Sequence, residues 1–292
     1  MIHYAKNSDL EIAVRQPGAE LSSIRSLKTG LEYMWDFKPA IWNSTAPILF
    51  PIVGNLKEGF YIWKGEKYSL PRHGFVRDNP QLILTGITAD SLTFGMGTTR
   101  ETLKVYPFDF EFSILFKLEG KKIHIIHTVG NTGNSTLYFS LGGHPAFRCP
   151  IHSEEKYEDY FLEFEQVETV ATCLLHESGL LGDETRTILE DSNILPLTHE
   201  LFSNDALIFK DLKSRKITLR SRKSQEALSV SYEDFPFMGI WAKPNGDFVC
   251  IEPWLGFADK WDTDQLFENK EGLIQLAAGA VFEAEYVVEI HE

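Results

Sequence analysis

Hydrophobic and polar residues alternate along most of the chain, a pattern with a period of two residues that is typical of β-strands with one buried face. The clearest case is residues 110–118, where every second residue is apolar: Phe110, Phe112, Ile114, Phe116 and Leu118. After a Gly-containing turn at 119–122, the alternation resumes over residues 123–129. This pattern predicts an antiparallel hairpin.

The same alternation marks the C-terminal residues 282–290 and several shorter segments. Further strands are predicted at 82–84, 91–94, 161–164, 217–219 and 228–232. Short helical turns are predicted at 205–209 and 263–268, but no long helical periodicity, linker or internal repeat is present. Many short strands from end to end predict an all-β protein, a large antiparallel sandwich or barrel, formed by a single domain over residues 1–292.

Composition and charge narrow the possible partners. The 292-residue chain has a formal net charge of −14, which repels nucleic acids and anionic membrane surfaces. Its apolar runs are far shorter than the roughly 20 residues of a membrane-spanning helix, and no signal peptide is visible. The chain has three cysteines without regular spacing, which favours a reducing, cytoplasmic location over a disulfide framework.

Glu252 is the first candidate for chemistry. It lies in the apolar run 248–254, which also contains Pro253 and Trp254. A carboxylate in such a run must be paired, hydrogen-bonded or functional, because burying it alone costs free energy. The following proline is expected to stop the strand ladder at this point. The alternative interpretation is a surface glutamate at the end of a strand.

Two histidines stand beside glycine or proline. His144 follows two glycines and precedes a proline, so the backbone can approach a ligand closely. An imidazole pKa of about 6.5 suits proton transfer near neutral pH. His73 follows Arg72, and together they can donate several hydrogen bonds to hydroxyl oxygens. The alternatives are a hydrogen-bonded structural histidine at 144 and a solvated turn at 72–73.

The sequence contains no recognisable metal or cofactor motif. His124 and His127 are three residues apart, which places them on opposite faces of a strand, where they cannot share an ion. No Cys-x-x-Cys pair, phosphate-binding loop or dinucleotide fingerprint is present. We therefore expect neither a metal nor an organic cofactor.

Taken together, these segments resemble the aldose 1-epimerase (galactose mutarotase) family, and more closely its LacX-type branch. The resemblance covers essentially the whole chain: residues 18–35 are similar to the family's N-terminal strands, and four motifs follow in the family's order at 50–54, 71–75, 143–147 and 251–254. The resemblance implies a galactose mutarotase-like β-supersandwich, in which Glu252 is the general base and His144 the general acid. It also implies that His73 and Asp205 bind the sugar. Trp254 is a further candidate, because sugar rings stack on aromatic side chains.

The sequence departs from the family pattern at Asn55, where better-known mutarotases carry a substrate-binding arginine. Arg72 is a candidate replacement for that arginine. We expect a free aldohexose such as galactose or glucose as the substrate, and a monomer or homodimer as the assembly. The alternatives are a hexose-phosphate 1-epimerase on the same fold, a non-catalytic sugar-binding protein and a cupin-like metalloenzyme.

Overall fold

The computed structural model describes residues 1–292 and is built almost entirely of antiparallel strands. In chain order the strands are β1 (Ile2–Lys6), β2 (Leu10–Arg15), β3 (Glu20–Ser26), β4 (Ile48–Leu49), β5 (Phe60–Trp63), β6 (Glu66–Ser69), β7 (Ile83–Ile87), β8 (Ser91–Gly97), β9 (Phe110–Glu119), β10 (Lys122–Asn131) and β11 (Leu137–Phe139). They continue with β12 (Leu141–Gly143), β13 (Ala146–Arg148), β14 (Tyr160–Leu175), β15 (Leu181–Pro196), β16 (Leu207–Phe209), β17 (Lys216–Ser221), β18 (Ala227–Ser231), β19 (Phe237–Trp241), β20 (Phe248–Leu255), β21 (Ile274–Leu276) and β22 (Val281–His291).

Helical structure is limited to single turns. One α-helical turn, α1, spans Arg100–Leu103, and 3-10 turns occur at Pro17–Ala19, Lys57–Gly59, Tyr157–Asp159, His199–Phe202 and Phe267–Asn269. None of these helices is long and apolar enough to cross a membrane. The helical turn predicted at 205–209 is wrong, because Leu207–Phe209 pairs with β19 as strand β16. The turn predicted at 263–268 lies too early, since the 3-10 turn begins at Phe267.

Two large sheets form the sandwich. Nine strands pair in the order β15-β14-β17-β18-β22-β10-β9-β8-β7, and the smaller sheet has the order β16-β19-β20-β12-β4, with β13 also pairing with β20. The sheets pack through aromatic rings: Phe50 beside β4 lies 4.9 Å from Phe112 of β9, measured between ring centroids. The all-β prediction is confirmed, including the hairpin β9–β10 and the C-terminal strand β22.

The smaller sheet carries the candidate site on the face turned away from the large sheet. Along β20, Ile251 and Leu255 belong to the main core, while Glu252 and Trp254 point to the other face. The long hairpin β14–β15, whose tip comprises residues 176–180, reaches the same region, because Leu181 packs in one cluster with Trp254.

Candidate active site

His144, which lies between β12 and β13, is directly opposite Glu252 of the neighbouring strand β20. Gly142 of β12 pairs with Trp254, and Ala146 of β13 pairs with Cys250, so the register across the gap places His144 opposite Glu252. Opposed residues of an antiparallel pair have their Cβ atoms about 4.5–5.5 Å apart. His144 Nε2 accordingly lies 3.3 Å from Glu252 Oε2.

Glu252 is buried inside β20 rather than exposed at a strand end. Only 1% of the residue is accessible, which excludes the surface-glutamate interpretation. The expectation that Pro253 stops the ladder is also wrong, because β20 continues through Pro253, opposite Met238, to Leu255. Apart from its 3.3 Å contact with His144 Nε2, Glu252 Oε2 has no polar partner within the protein, which leaves this buried oxygen with hydrogen-bonding capacity for a ligand.

Burial shifts the pKa values of His144 and Glu252 in opposite directions. It lowers the pKa of His144 to about 3, and the nearby cations Arg72 and Arg77 lower it further. Burial raises the pKa of Glu252 well above its usual range, and the charge of Arg72 partly opposes this effect. Both shifts favour the neutral forms, so the pair holds one proton between two sites over a wide pH range.

His73 completes the cluster from a different part of the chain. It adopts φ = 70° in the tight turn before Gly74, and its ring centroid lies 5.7 Å from that of His144. The backbone N–H of Gly54 donates to His73 Nδ1 at 3.1 Å, and His73 N–H donates to Gly54 O at 2.9 Å. Because Nδ1 accepts, the neutral imidazole carries its proton on Nε2.

Two arginines act on this cluster, of which the sequence singled out only Arg72. Arg72 is exposed, and its Nε lies 3.1 Å from His73 Nε2. A neutral imidazole accepts at only one nitrogen, so the contacts from Gly54 and Arg72 compete, and in the tautomer set by Gly54 the Arg72 N–H has no acceptor on His73. Arg77 donates to Ser44 Oγ at 2.9 Å and lies 3.7 Å from Asp78. Arg77 also lowers the pKa of both His73 and His144.

Two half-buried tryptophans stand beside the acid–base pair. The Trp42 ring lies 5.1 Å from His144 and the Trp241 ring 5.7 Å from it, between centroids. The tryptophans meet each other edge-on at 5.5 Å. Neither is a candidate from the sequence alone, because nothing in the local sequence distinguishes a tryptophan that lines a site from one in the core.

Trp254 forms part of the floor of this region. Its ring covers Gly142 and Gly239, and a Cβ atom at Gly239 would lie only 2.4 Å from the Trp254 ring. Because glycine has no side chain, the Trp254 indole can pack against both positions. Trp254 is 6% exposed, and its Nε1 is buried without a partner in the protein.

Asn55 and Asp205 flank the cluster. Asn55 follows Gly54, the residue bonded to His73, and its side chain faces the hairpin tip, where Gly179 lies nearby. Asp205 has φ = 76° and is partly buried, and its charge contributes to raising the pKa of Glu252. All seven candidate residues thus lie in or beside one region, although sequence separations reach about two hundred residues.

One set of side chains has the spacing of metal ligands. The nearest ligand atoms of His144, Cys250 and Glu252 lie within 4.8 Å of one another. A thiolate and a carboxylate would be needed to hold a divalent ion. Burial instead raises the pKa of Cys250 well above its usual value, and Glu252 raises it further. The two nearby arginines also disfavour a cation at this position. His124 and His127 lie on opposite faces of β10, as predicted.

Comparison with known proteins identifies the family to which this β-sandwich belongs. Residues 1–271 match the model of the aldose 1-epimerase family. The chain belongs to this family and is accordingly an isomerase.

Individual relatives agree with this assignment. The chain is 39% identical over 274 residues to the plasmid-encoded and chromosomal LacX proteins of Lactococcus lactis subsp. lactis, covering 91% of each chain. It superposes on a galactose mutarotase related enzyme from Lactobacillus acidophilus with a TM-score of 0.94, at 36% identity over 100% of this chain and 98% of that one. A galactose mutarotase-like protein from Lactobacillus casei ATCC 334 gives a TM-score of 0.91 at 27% identity, with both chains fully covered.

Proposed function

We propose that this protein is a mutarotase that interconverts the α and β anomers of a free aldohexose, with Glu252 as general base and His144 as general acid. The observation that carries the proposal is the buried 3.3 Å contact between His144 Nε2 and Glu252 Oε2. A protein that only binds sugars needs no pair of proton carriers at this distance, which disfavours the non-catalytic alternative.

The reaction opens and recloses a cyclic hemiacetal. Glu252 in its carboxylate form removes the proton of the C1 hydroxyl, and His144 in its imidazolium form protonates the ring oxygen. The C1–O5 bond breaks, the aldehyde rotates about C1–C2, and the ring closes on its other face. On closure His144 takes the proton from the C5 hydroxyl and Glu252 returns one to O1, so the net proton balance is zero.

The resting pair and the reactive pair differ only in where one proton resides. Burial favours protonated Glu252 beside neutral His144, whereas reaction requires the proton on His144. Moving it from Oε2 to Nε2 spans 3.3 Å and changes no net charge. A carboxylate with a raised pKa is also a stronger base once it is deprotonated, which matches its proposed role.

His73, Arg72, Asp205, Asn55 and Trp254 are proposed to hold the sugar. His73 presents Nε2–H as a donor beside His144, which suits a hydrogen bond to an oxygen close to the reacting ring oxygen. Trp42 and Trp241 join this set, since their half-buried rings can stack on the apolar face of a sugar.

We propose galactose or glucose as the substrate class, with a hexose phosphate as the second candidate. Arg72 has no carboxylate partner within salt-bridge distance, and Arg77 adds a second positive charge near His144; both features favour an anion. Against this, Arg77 is engaged by Ser44, and the protein carries a net charge of −14. The specificity constants for glucose and galactose against their 6-phosphates decide between them: a tenfold phosphate preference that Arg72→Ala abolishes would establish the second candidate.

Anomer exchange measured by NMR or polarimetry tests the mechanism. Glu252→Gln keeps the size of the side chain but cannot accept the C1 proton, so we expect exchange to fall by at least about 100-fold. His144→Asn should lower turnover by a similar factor through loss of the acid. Arg148→Gln, on the β13 strand but outside the acid–base pair, is the control and should retain activity. Wild-type exchange in Glu252→Gln would refute the assignment of the base.

Location and assembly are also proposals. The three cysteines are free, and two of them are buried, which supports a reducing, cytoplasmic environment. A monomer or homodimer is proposed, and light scattering on the purified protein measures which one forms.

A further inference from the structure

We propose that Glu20, in an ion pair with Arg15, is a positioning residue for the general acid His144. The pair belongs to the three-stranded sheet β1-β2-β3, which is separate from both large sheets, and it acts on His144 through the buried segment 44–47. The inference rests on the proposed function and deepens it, because it names residues that set the geometry of the acid–base pair.

The Glu20 carboxylate binds the backbone of segment 44–47. Glu20 Oε1 accepts hydrogen bonds from the backbone N–H of Thr45 and, at 3.0 Å, from that of Ala46. Glu20 is only 4% exposed, so water cannot easily replace the carboxylate, and hydrogen bonds to a charged acceptor are stronger than neutral ones. Without Glu20, two buried N–H groups lose their acceptor, which favours displacement of the segment.

Arg15 holds the Glu20 carboxylate in one orientation. The two residues lie opposite each other on β2 and β3, with Arg15 Nη2 2.6 Å from Glu20 Oε2. Arg15 Nη2 also donates to Thr45 Oγ1 at 3.1 Å, and its guanidinium lies 4.2 Å from the centroid of the Phe37 ring. One oxygen of Glu20 therefore binds the segment while the other binds Arg15.

The segment held by Glu20 in turn holds the backbone of His144. His144 N–H donates to Pro47 O at 3.1 Å. Two residues further on, Ala146 N–H donates to Thr45 O at 2.8 Å. These bonds continue the pairing of β4 with β12. Because Thr45 donates to Glu20 and accepts from Ala146, a displacement at Glu20 reaches the strand segment that carries His144 through a single residue.

The placement of His144 matters because proton transfer depends on short distances. His144 Nε2 lies 3.3 Å from Glu252 Oε2, and a displacement of about 1 Å can lower the rate of a reaction by about 100-fold. The hydrogen-bond and ion-pair partners of Glu20 include none of the residues proposed to hold the sugar. Loss of Glu20 should therefore lower kcat and leave KM nearly unchanged.

A double-mutant cycle between Glu20 and His144 tests the inference, with exchange of glucose and galactose measured at neutral pH. We expect Glu20→Ala to lower kcat by about tenfold and to change KM by less than about twofold. In the His144→Asn background the acid is absent, so Glu20→Ala should lower kcat by less than about twofold further. Glu20→Gln keeps an oxygen that can accept from both N–H groups, and it should retain most of the wild-type kcat.

Two further variants separate positioning from stability. Val230→Ala truncates a fully buried side chain of β18 in the large sheet, so it should destabilise the protein without lowering kcat. Glu20→Asp replaces Glu20→Ala if the latter does not fold. Its side chain is one methylene shorter and cannot reach the segment and Arg15 together, so we expect a smaller loss of kcat that again disappears in the His144→Asn background.

Hydrogen exchange of the His144 and Ala146 amides, measured by NMR, gives a readout that does not depend on activity. Glu20→Ala should accelerate both by at least about tenfold relative to the amides of β22. Unchanged exchange at these amides, or a loss of kcat of equal size with and without His144, would overturn the positioning role. A wild type that exchanges no anomers, while the two amides still respond to Glu20→Ala, would overturn the mutarotase assignment alone.

Discussion

At the scale of single residues, the site consists of ionisable groups whose surroundings disfavour their charged forms. Glu252 and His144 are both buried, and His73 beside them has its pKa lowered well below the usual value by burial and by the neighbouring His144 and arginines. Such opposed shifts in an acid and a base are typical of groups that exchange protons with a substrate.

The pH profile of anomer exchange should reflect the pKa values of His144 and Glu252. In the proposed mechanism, exchange requires that His144 and Glu252 share one proton, because a second proton blocks the base and loss of the first removes the acid. The acid limb follows His144, whose pKa is lowered to about 3, and the alkaline limb follows Glu252, whose pKa is raised well above its usual range. We therefore expect a broad plateau that includes neutral pH, measured as kcat/KM against pH.

Two arginine variants distinguish these limbs. The charge of Arg72 lowers the pKa of both groups, so Arg72→Met should raise both and move the whole profile to higher pH. Arg77 lowers the pKa of His144 and is not among the groups that act on Glu252, so Arg77→Met should move only the acid limb upward. Identical profiles for wild type and both variants would show that the limbs belong to other groups.

At the scale of structural elements, the segment 52–57 connects the cluster of Glu252, His144 and His73 to a buried ion pair. Lys270 Nζ lies 2.8 Å from Asp259 Oδ1 and donates to Phe257 O at the same distance. Asp259 Oδ2 accepts from the backbone N–H of Lys57, and Asp259 N–H donates to Asn55 O, both at 2.9 Å. The pair thereby holds the segment whose Gly54 orients His73.

Removing one partner should disturb both stability and catalysis. Lys270→Met leaves the Asp259 carboxylate buried and unpaired, so we expect a loss of about 3–5 kcal/mol in the free energy of unfolding. The displaced segment should also lower kcat/KM for glucose. The double variant Asp259→Asn/Lys270→Met removes both charges but keeps an acceptor for Lys57 N–H, and should recover most of both losses. If the single variant is as stable and active as wild type, the pair does not position this segment.

At the scale of the whole molecule, one core joins the two large sheets. A cluster of 71 buried residues runs from Ala5 to Ile290 and includes strands of both sheets. Since one contiguous core is typical of one domain, residues 1–292 are proposed to fold as a unit.

Differential scanning calorimetry tests whether residues 1–292 unfold as a single unit. We expect a single cooperative thermal transition whose calorimetric and van't Hoff enthalpies agree. Glu252→Gln, which alters one buried side chain and no part of the sheet contact, should keep the single transition and serves as the control. Two resolved transitions would contradict the single-domain proposal, because they would show that parts of the core unfold separately.

The sequence predicted the strands well where alternation was regular and failed where local signals conflicted with tertiary pairing. Residues 110–118 and 282–290 were predicted correctly, because the alternation is a property of each strand alone. Residues 205–209 were predicted as a helical turn, yet β19 supplies hydrogen-bond partners that make Leu207–Phe209 a strand. Likewise, Pro253 remains inside β20, because flanking residues continue the pairing.

What the sequence by itself determined was the all-β class and the residues able to carry acid–base chemistry. These features depend on residue type and on neighbours along the chain, such as the glycines before His144 or the apolar run around Glu252. Only the tertiary structure decided that these two side chains face each other, that Trp42, Trp241 and Arg77 join them, and that burial shifts their pKa values in opposite directions. The reason is that strand register and burial arise between segments more than one hundred residues apart, and no local pattern encodes that pairing.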